Sequence, residues 1–155
     1  MIFSKISKFF LYLAPFSVII VSSSTFFPFI VAKGVFFRTA VELALVFFVC
    51  GFIFQYKEFR PPKINDQSWG GRTSQILKSP LAIAVSVFVS IFLLAGFFGV
   101  NPAYSFWSNF ERGEGGLQMV HLFIFFILLI LCFNDKKDWR RLFVISLWAG
   151  GLMIA

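Results

Sequence analysis

Charge is what this sequence has least of. Asp, Glu, Lys and Arg together make up 14% of its 155 residues, against about a quarter in a soluble globular domain. Histidine occurs once, at His121, which excludes a multi-histidine metal centre built from this chain. There is no glycine-rich phosphate loop with its lysine, no metal-spaced His/Cys set and no nucleophile elbow, so the familiar nucleotide-binding and hydrolase signatures are missing. Cysteine is nearly absent too. Cys50 and Cys132 each lie near the end of an apolar run that leads into a basic segment, a position that favours two lipid-phase thiols over a structural disulfide.

What fills the space is apolar. Hydrophobic residues reach 59% and aromatic residues 21%, with 25 phenylalanines, and the mean hydropathy is +0.86. That balance excludes soluble, disordered, fibrous and small disulfide-scaffold classes and leaves an integral membrane protein. The expected fold class is all-α, a multi-pass transmembrane helical bundle. Fourteen Lys and Arg against seven Asp and Glu give a net charge of +7. The basic residues sit in short links between apolar runs, as membrane loops require, and not on a stripe interleaved with stacking residues, so nucleic acid is not the expected partner. The bilayer is.

A helical crossing takes about 20 apolar residues at about 1.5 Å each. Residues 9–31 form the first candidate, interrupted by Pro15, Ser22 to Thr25 and Pro28. A cleavable signal peptide would also begin with Lys5 and Lys8, but the apolar stretch resumes at Phe26, so a retained anchor helix is expected. Residues 35–54 form the second span, carrying Arg38 and Glu42; residues 81–100 the third, without any charge; residues 117–133 the fourth, with His121 one turn inside. Residues 142–155 begin a fifth that reaches only about 21 Å of the roughly 30 Å hydrocarbon core. On that length the expectation is an amino-terminal part of a larger membrane protein. Residues 55–79, with Pro61-Pro62, Gly70 and Gly71, read as a cytoplasmic linker, and residues 101–116 as an outer loop.

Loop charge gives the expected orientation. With the N-terminus in the cytoplasm, the inner segments hold Lys5, Lys8, Lys57, Arg60, Lys63, Arg72, Lys78, Lys136, Lys137, Arg140 and Arg141, eleven of the fourteen basic residues. The outer side keeps Lys33, Arg38 and Arg112, an asymmetry of the positive-inside kind.

Candidate chemistry follows from charges that the bilayer penalises, by about 2.5–3.5 kcal/mol each on the mildest scale. Arg38 and Glu42 are four residues apart, so they share a helix face and can pair. His121, Glu111, Arg112 and Glu114 fall at the same outer level in this topology. Each has a plain structural role open to it: Arg38 and Glu42 neutralising each other, His121 bonding helices together, and the loop charges meeting water. The functional alternative is an anion site, with outward arginines suited to the diphosphate of a lipid-linked substrate and a carboxylate or histidine taking a proton from an attacking hydroxyl.

The most specific text runs from Phe98 to Gly115: Phe98-Gly99-Val100-Asn101-Pro102, then Ser105-Phe106-Trp107, then Glu111-Arg112-Gly113-Glu114-Gly115. It resembles the first long outer loop of the O-antigen ligase and O-antigen polymerase-like membrane proteins. Phe27-Pro28-Phe29-Ile30, Lys33-Gly34, Phe36-Phe37-Arg38 and Val41-Glu42 resemble the amino-terminal helix pair of the same family. The resemblance implies a glycosyltransferase of the bacterial inner membrane that moves a glycan from undecaprenyl diphosphate to a lipid, protein or glycan acceptor at the outer face. It implies no metal and no cofactor, and a catalytic outer loop beyond residue 155. Arg38, Glu42, Glu111, Arg112 and Glu114 are the positions it singles out here as substrate-binding candidates, and His121 joins them on the membrane argument alone. Rival expectations are a transporter or flippase component, in which Arg38, Glu42 and His121 line a proton path, and a non-catalytic accessory membrane protein.

Overall fold

Six α-helices carry the described residues of the computed structural model, which are 2–21, 30–54, 78–108, 114–133 and 135–154. They are α1 (Ile2–Leu13), α2 (Val31–Phe54), α3 (Pro80–Phe97), α4 (Pro102–Trp107), α5 (Gly116–Cys132) and α6 (Lys136–Ile154), and no strand occurs among the described residues. Most of the expected linker 55–79 lies outside them, as do Glu111 and Arg112.

The protein is a membrane protein in its build. Three helical stretches, Ile2–Ile19, Val31–Phe54 and Pro80–Phe97, are long and apolar enough to cross a bilayer. The fourth expected span, α5, is apolar but has 17 residues, about 26 Å of helix against a core of about 30 Å. Large apolar side chains face outward on every side, among them Leu81, Phe88 and Ile91 of α3 and Phe143, Leu147 and Trp148 of α6. Beside the buried leucines, valines and Phe133, small and polar residues also lie inside: Ala14, Ala40, Ala44, Ala82 and Ala149, with Ser7, His121 and Asp138. Small side chains let helix backbones approach where lipid supplies no hydrophobic drive, and polar ones bond across the gap.

The first helix differs from expectation at both ends. It starts at Ile2 rather than at residue 9, because Lys8 is neutralised inside the bundle: its Nζ lies 2.5 Å from Asp138 Oδ2 of α6. It leaves α-geometry at Ala14, where Pro15 cannot donate a backbone hydrogen bond, and continues as a tighter 3-10 segment to Ile19. Val31, expected at its far end, opens α2. Ser79 caps α3 by accepting from the Ala82 amide, with Pro80 at its first position. The same pattern of a capping side chain followed by proline revises the outer loop. α3 ends at Phe97, and Asn101, expected with Pro102 to close that span at residue 100, caps the separate helix α4 by accepting from the Tyr104 amide. α6 starts at Lys136, six residues before the expected 142, with Asp138 in its first turn favouring the helix dipole.

Cross-contacts set the directions. Ser7 Oγ donates to the Ala44 carbonyl at 2.9 Å while Ser17 lies near Gly34, so α1 runs against α2. Arg38 meets Gln118 and Glu42 meets His121, so α5 runs the same way as α2. Phe97 packs on Phe106, whose ring rests against Gly116, so α3 ends where α5 begins. Leu11, Ala44, Leu128, Leu129, Cys132, Phe133 and Leu142 close the apolar core.

Candidate functional site

The polar groups of α2 and α5 meet because their spacings match. Arg38 and Glu42 stand one turn apart on α2, and Gln118 and His121 stand three residues apart on α5, so two same-sense helices bring two cross-links into register. Arg38 Nε donates to Gln118 Oε1 at 2.9 Å. One turn further in, His121 Nε2 lies 2.9 Å from Glu42 Oε1. The His121 ring is buried, at 9% exposed, while the Glu42 side chain is 62% exposed. His121 Nδ1 lies 2.8 Å from the Leu117 carbonyl oxygen of its own helix.

Arg38 leans back along its helix, its Nη2 passing over Gly34, where an added Cβ would sit 3.8 Å away. Helical side chains point towards the N-terminus, so this is the direction in which an arginine escapes the apolar middle. A cleft of about 320 Å³ opens there, lined by Ser17 of the 3-10 segment, Lys33, Gly34, Phe37 and Arg38 of α2, Gln118 and Leu122 of α5, with Ile30 and Glu114. Two cations and one carboxylate thus share one cleft, and Arg38 is within electrostatic reach of both Glu42 and Glu114. Phe37, Leu122 and Ile30 give it an apolar wall. The arrangement suits an anionic group joined to an apolar tail.

Of the six expected site residues, Arg38 and Glu114 share this cleft, and Glu42 and His121 pair beneath it. Glu111 and Arg112 fall outside the described residues. Three members escaped the sequence reading. Gln118 and Ser17 are neutral and raise no alarm in an apolar run, and Lys33 read as an outer loop charge and as part of the family-like text but not as a site residue. The i, i+3 spacing of Gln118 and His121 was the available signal.

A second polar group lies at the other end of the bundle. Besides the Lys8 ion pair, the Tyr12 hydroxyl donates to Asp138 Oδ1 at 3.1 Å, and Arg141 Nη1 stands 4.0 Å from that same oxygen. Ser7 Oγ also lies 3.8 Å from Cys132 Sγ, and both cysteines are free thiols. Among the described residues no three His, Cys, Asp or Glu side chains converge as a metal-holding group.

No family model, no curated protein and no solved structure matches the chain.

Proposed function

We propose that the chain belongs to a glycosyltransferase of the O-antigen ligase-like type, using a lipid-linked glycan diphosphate at the outer face of a bacterial inner membrane, with the N-terminus in the cytoplasm. The observation that carries this reading is the cleft itself: Lys33 and Arg38 beside an apolar wall of Ile30, Phe37 and Leu122. A diphosphate needs cations, and its polyisoprenoid tail needs a lipid-facing wall. Arginine adds planar, multi-donor recognition that lysine lacks. Ser17, Gln118 and Glu114 supply the neutral and acidic partners that sugar hydroxyls require. The text from Phe98 to Gly115 that resembles the ligase-like outer loop leads directly into this cleft through Glu114. The transferred glycan goes to a lipid, protein or glycan acceptor carrying a free hydroxyl.

A transporter would instead need polar groups from one end to the other. Between the two polar ends α5 carries buried Leu128 and Leu129, and the α1 side carries buried Ala14. That favours transfer at one face over passage through the bundle.

The test is transfer from undecaprenyl diphosphate-linked glycan in membranes carrying Arg38→Gln or Lys33→Gln. Each removes a charge-assisted contact of about 1.5–3 kcal/mol, so binding of the lipid diphosphate is expected to weaken at least tenfold in each variant. Undiminished binding and transfer in both, at normal expression, overturns the reading.

A further inference from the structure

Glu114 is the odd member of the cleft. Lys33 and Arg38 suit an anion, yet a carboxylate lines the same walls and offsets one of their two charges. It lies within electrostatic reach of Arg38, and the turn that carries it is closely packed. Gly115, next in the chain, sits so near the Ser105 and Phe106 carbonyls that a Cβ there would overlap both. Gly116 rests against the Phe106 ring and opens α5. Helix α4 thus pins the backbone beside Glu114, while the Glu114 residue itself stays exposed. A charge held at a fixed place against the preference of the bound anion needs a use.

That use follows from the charge of what binds and what leaves. Each phosphate of a glycan-linked lipid diphosphate is substituted on two sides and carries one negative charge. Transfer joins the acceptor hydroxyl oxygen to the anomeric carbon and breaks the bond from that carbon to the phosphate oxygen. The electron pair stays on that oxygen, and the hydroxyl proton leaves through the catalytic loop that the same reading places beyond residue 155. The spent lipid diphosphate now ends in a phosphate monoester, whose second ionisation falls at about pH 6, so at neutral pH it carries about one charge more than the donor. Cations alone would hold this product more tightly than the donor that must replace it.

We propose that Glu114 sets the preference of the cleft between donor and product: its carboxylate accepts from sugar hydroxyls while the glycan is attached, and opposes the added phosphate charge once the glycan has gone. The inference rests on the glycan-transfer reading and gives Glu114 no part in making or breaking a bond. It acts on which lipid diphosphate stays.

The experiment measures binding to the full chain in phosphatidylcholine nanodiscs. The probes are the glycan-linked lipid diphosphate, the lipid diphosphate without glycan, and the latter with its terminal phosphate methylated. The last two lack the sugar and differ by one negative charge. Wild type is expected to bind these two within about threefold of each other. Glu114→Gln, whose amide still bonds sugar hydroxyls, is expected to bind the free lipid diphosphate about tenfold more tightly than wild type does, because a unit charge has been removed from its surroundings. Donor and methyl ester are expected to change by about threefold or less. Glu114→Asp keeps the charge and is expected to follow wild type. No change in Glu114→Gln, equal tightening of all probes, or Glu114→Asp behaving as Glu114→Gln overturns the proposal and leaves glycan transfer standing. If Glu114→Gln does not assemble, wild type alone decides: a preference of about tenfold or more for the free diphosphate over its methyl ester overturns it. Wild type that binds none of the probes overturns the underlying reading instead, so the two failures are distinguishable.

Discussion

Gly115 and Gly150 have the same side chain and opposite requirements. A Cβ on Gly115 would lie 2.6 Å from the Phe106 carbonyl oxygen and closer still to that of Ser105, both backbone atoms of the turn that seats α4 against α5. Neither oxygen can swing away as a flexible side chain would, so Gly115→Ala is expected to cost about 1–3 kcal/mol as overpacking. Gly150 meets nothing within 4 Å in the C-terminal part of α6. Gly150→Ala there removes backbone freedom from the unfolded chain and is expected to stabilise by up to about 1 kcal/mol. Thermal unfolding in one detergent checks both: a lower midpoint for the first variant and an equal or higher one for the second. Equal shifts would refute the close approach at Ser105. The sequence marks Gly113, Gly115 and Gly116 as permitting a turn into the next helix, but a close approach is a property of two segments and cannot be read from one. The same holds for the site. Arg38, Glu42 and His121 announce themselves because each is ionisable in apolar text, whereas Gln118 and Ser17 become site residues only when α5 and the 3-10 segment meet α2.

Among the elements, α1 shows most clearly what holds this bundle. Twelve residues of helix are marginal on their own, so α1 depends on its anchors. Leu11 is fully buried in the core, Ser7 bonds the Ala44 carbonyl, and Lys8 and Tyr12 both reach Asp138, whose side chain is 10% exposed. Removing Asp138 leaves two partners unsatisfied at once. Asp138→Ala is expected to cost about 1.5–3 kcal/mol, the range for hydrogen bonds to charged groups, and Tyr12→Phe alone about 1 kcal/mol. Because the two share one bond, Tyr12→Phe is expected to cost nearly nothing further once Asp138 is gone. Denaturant titration of the two single variants and the double variant measures this, and strictly additive losses would show that Tyr12 contributes elsewhere. Hydropathy placed the start of the first span at residue 9 because Lys8 looked like its boundary. The charge that admits Lys8 into the bundle is 130 residues away in sequence, which is why neither the Lys8 turn of α1 nor the charged start of α6 was legible as helix within the bundle.

At the scale of the molecule the polar groups fall into two sets. Arg38, Lys33, Gln118 and Glu114 gather where α2 and α5 begin, and Lys8, Tyr12 and Asp138 gather where α6 begins. Hydropathy made the all-helical, apolar build legible, but three helical stretches rather than the expected four full spans are long and apolar enough to cross a bilayer, and a helix that enters one side of a bilayer must leave by the other. The two sets should therefore face different compartments, which cysteine labelling can test. Ala103 in α4 and Lys137 in α6 are both exposed and belong to neither set of bonds. In a background with Cys50→Ala and Cys132→Ala, Ala103→Cys is expected to react with a membrane-impermeant maleimide in cells whose inner membrane is intact. Lys137→Cys is expected to react only after that membrane is opened. Reaction of both from one side would refute a bundle with its polar sets at opposite faces. The reverse pattern would keep the bundle and invert its orientation, putting the Lys33 and Arg38 cleft in the cytoplasm. Transfer at the outer face would then be excluded.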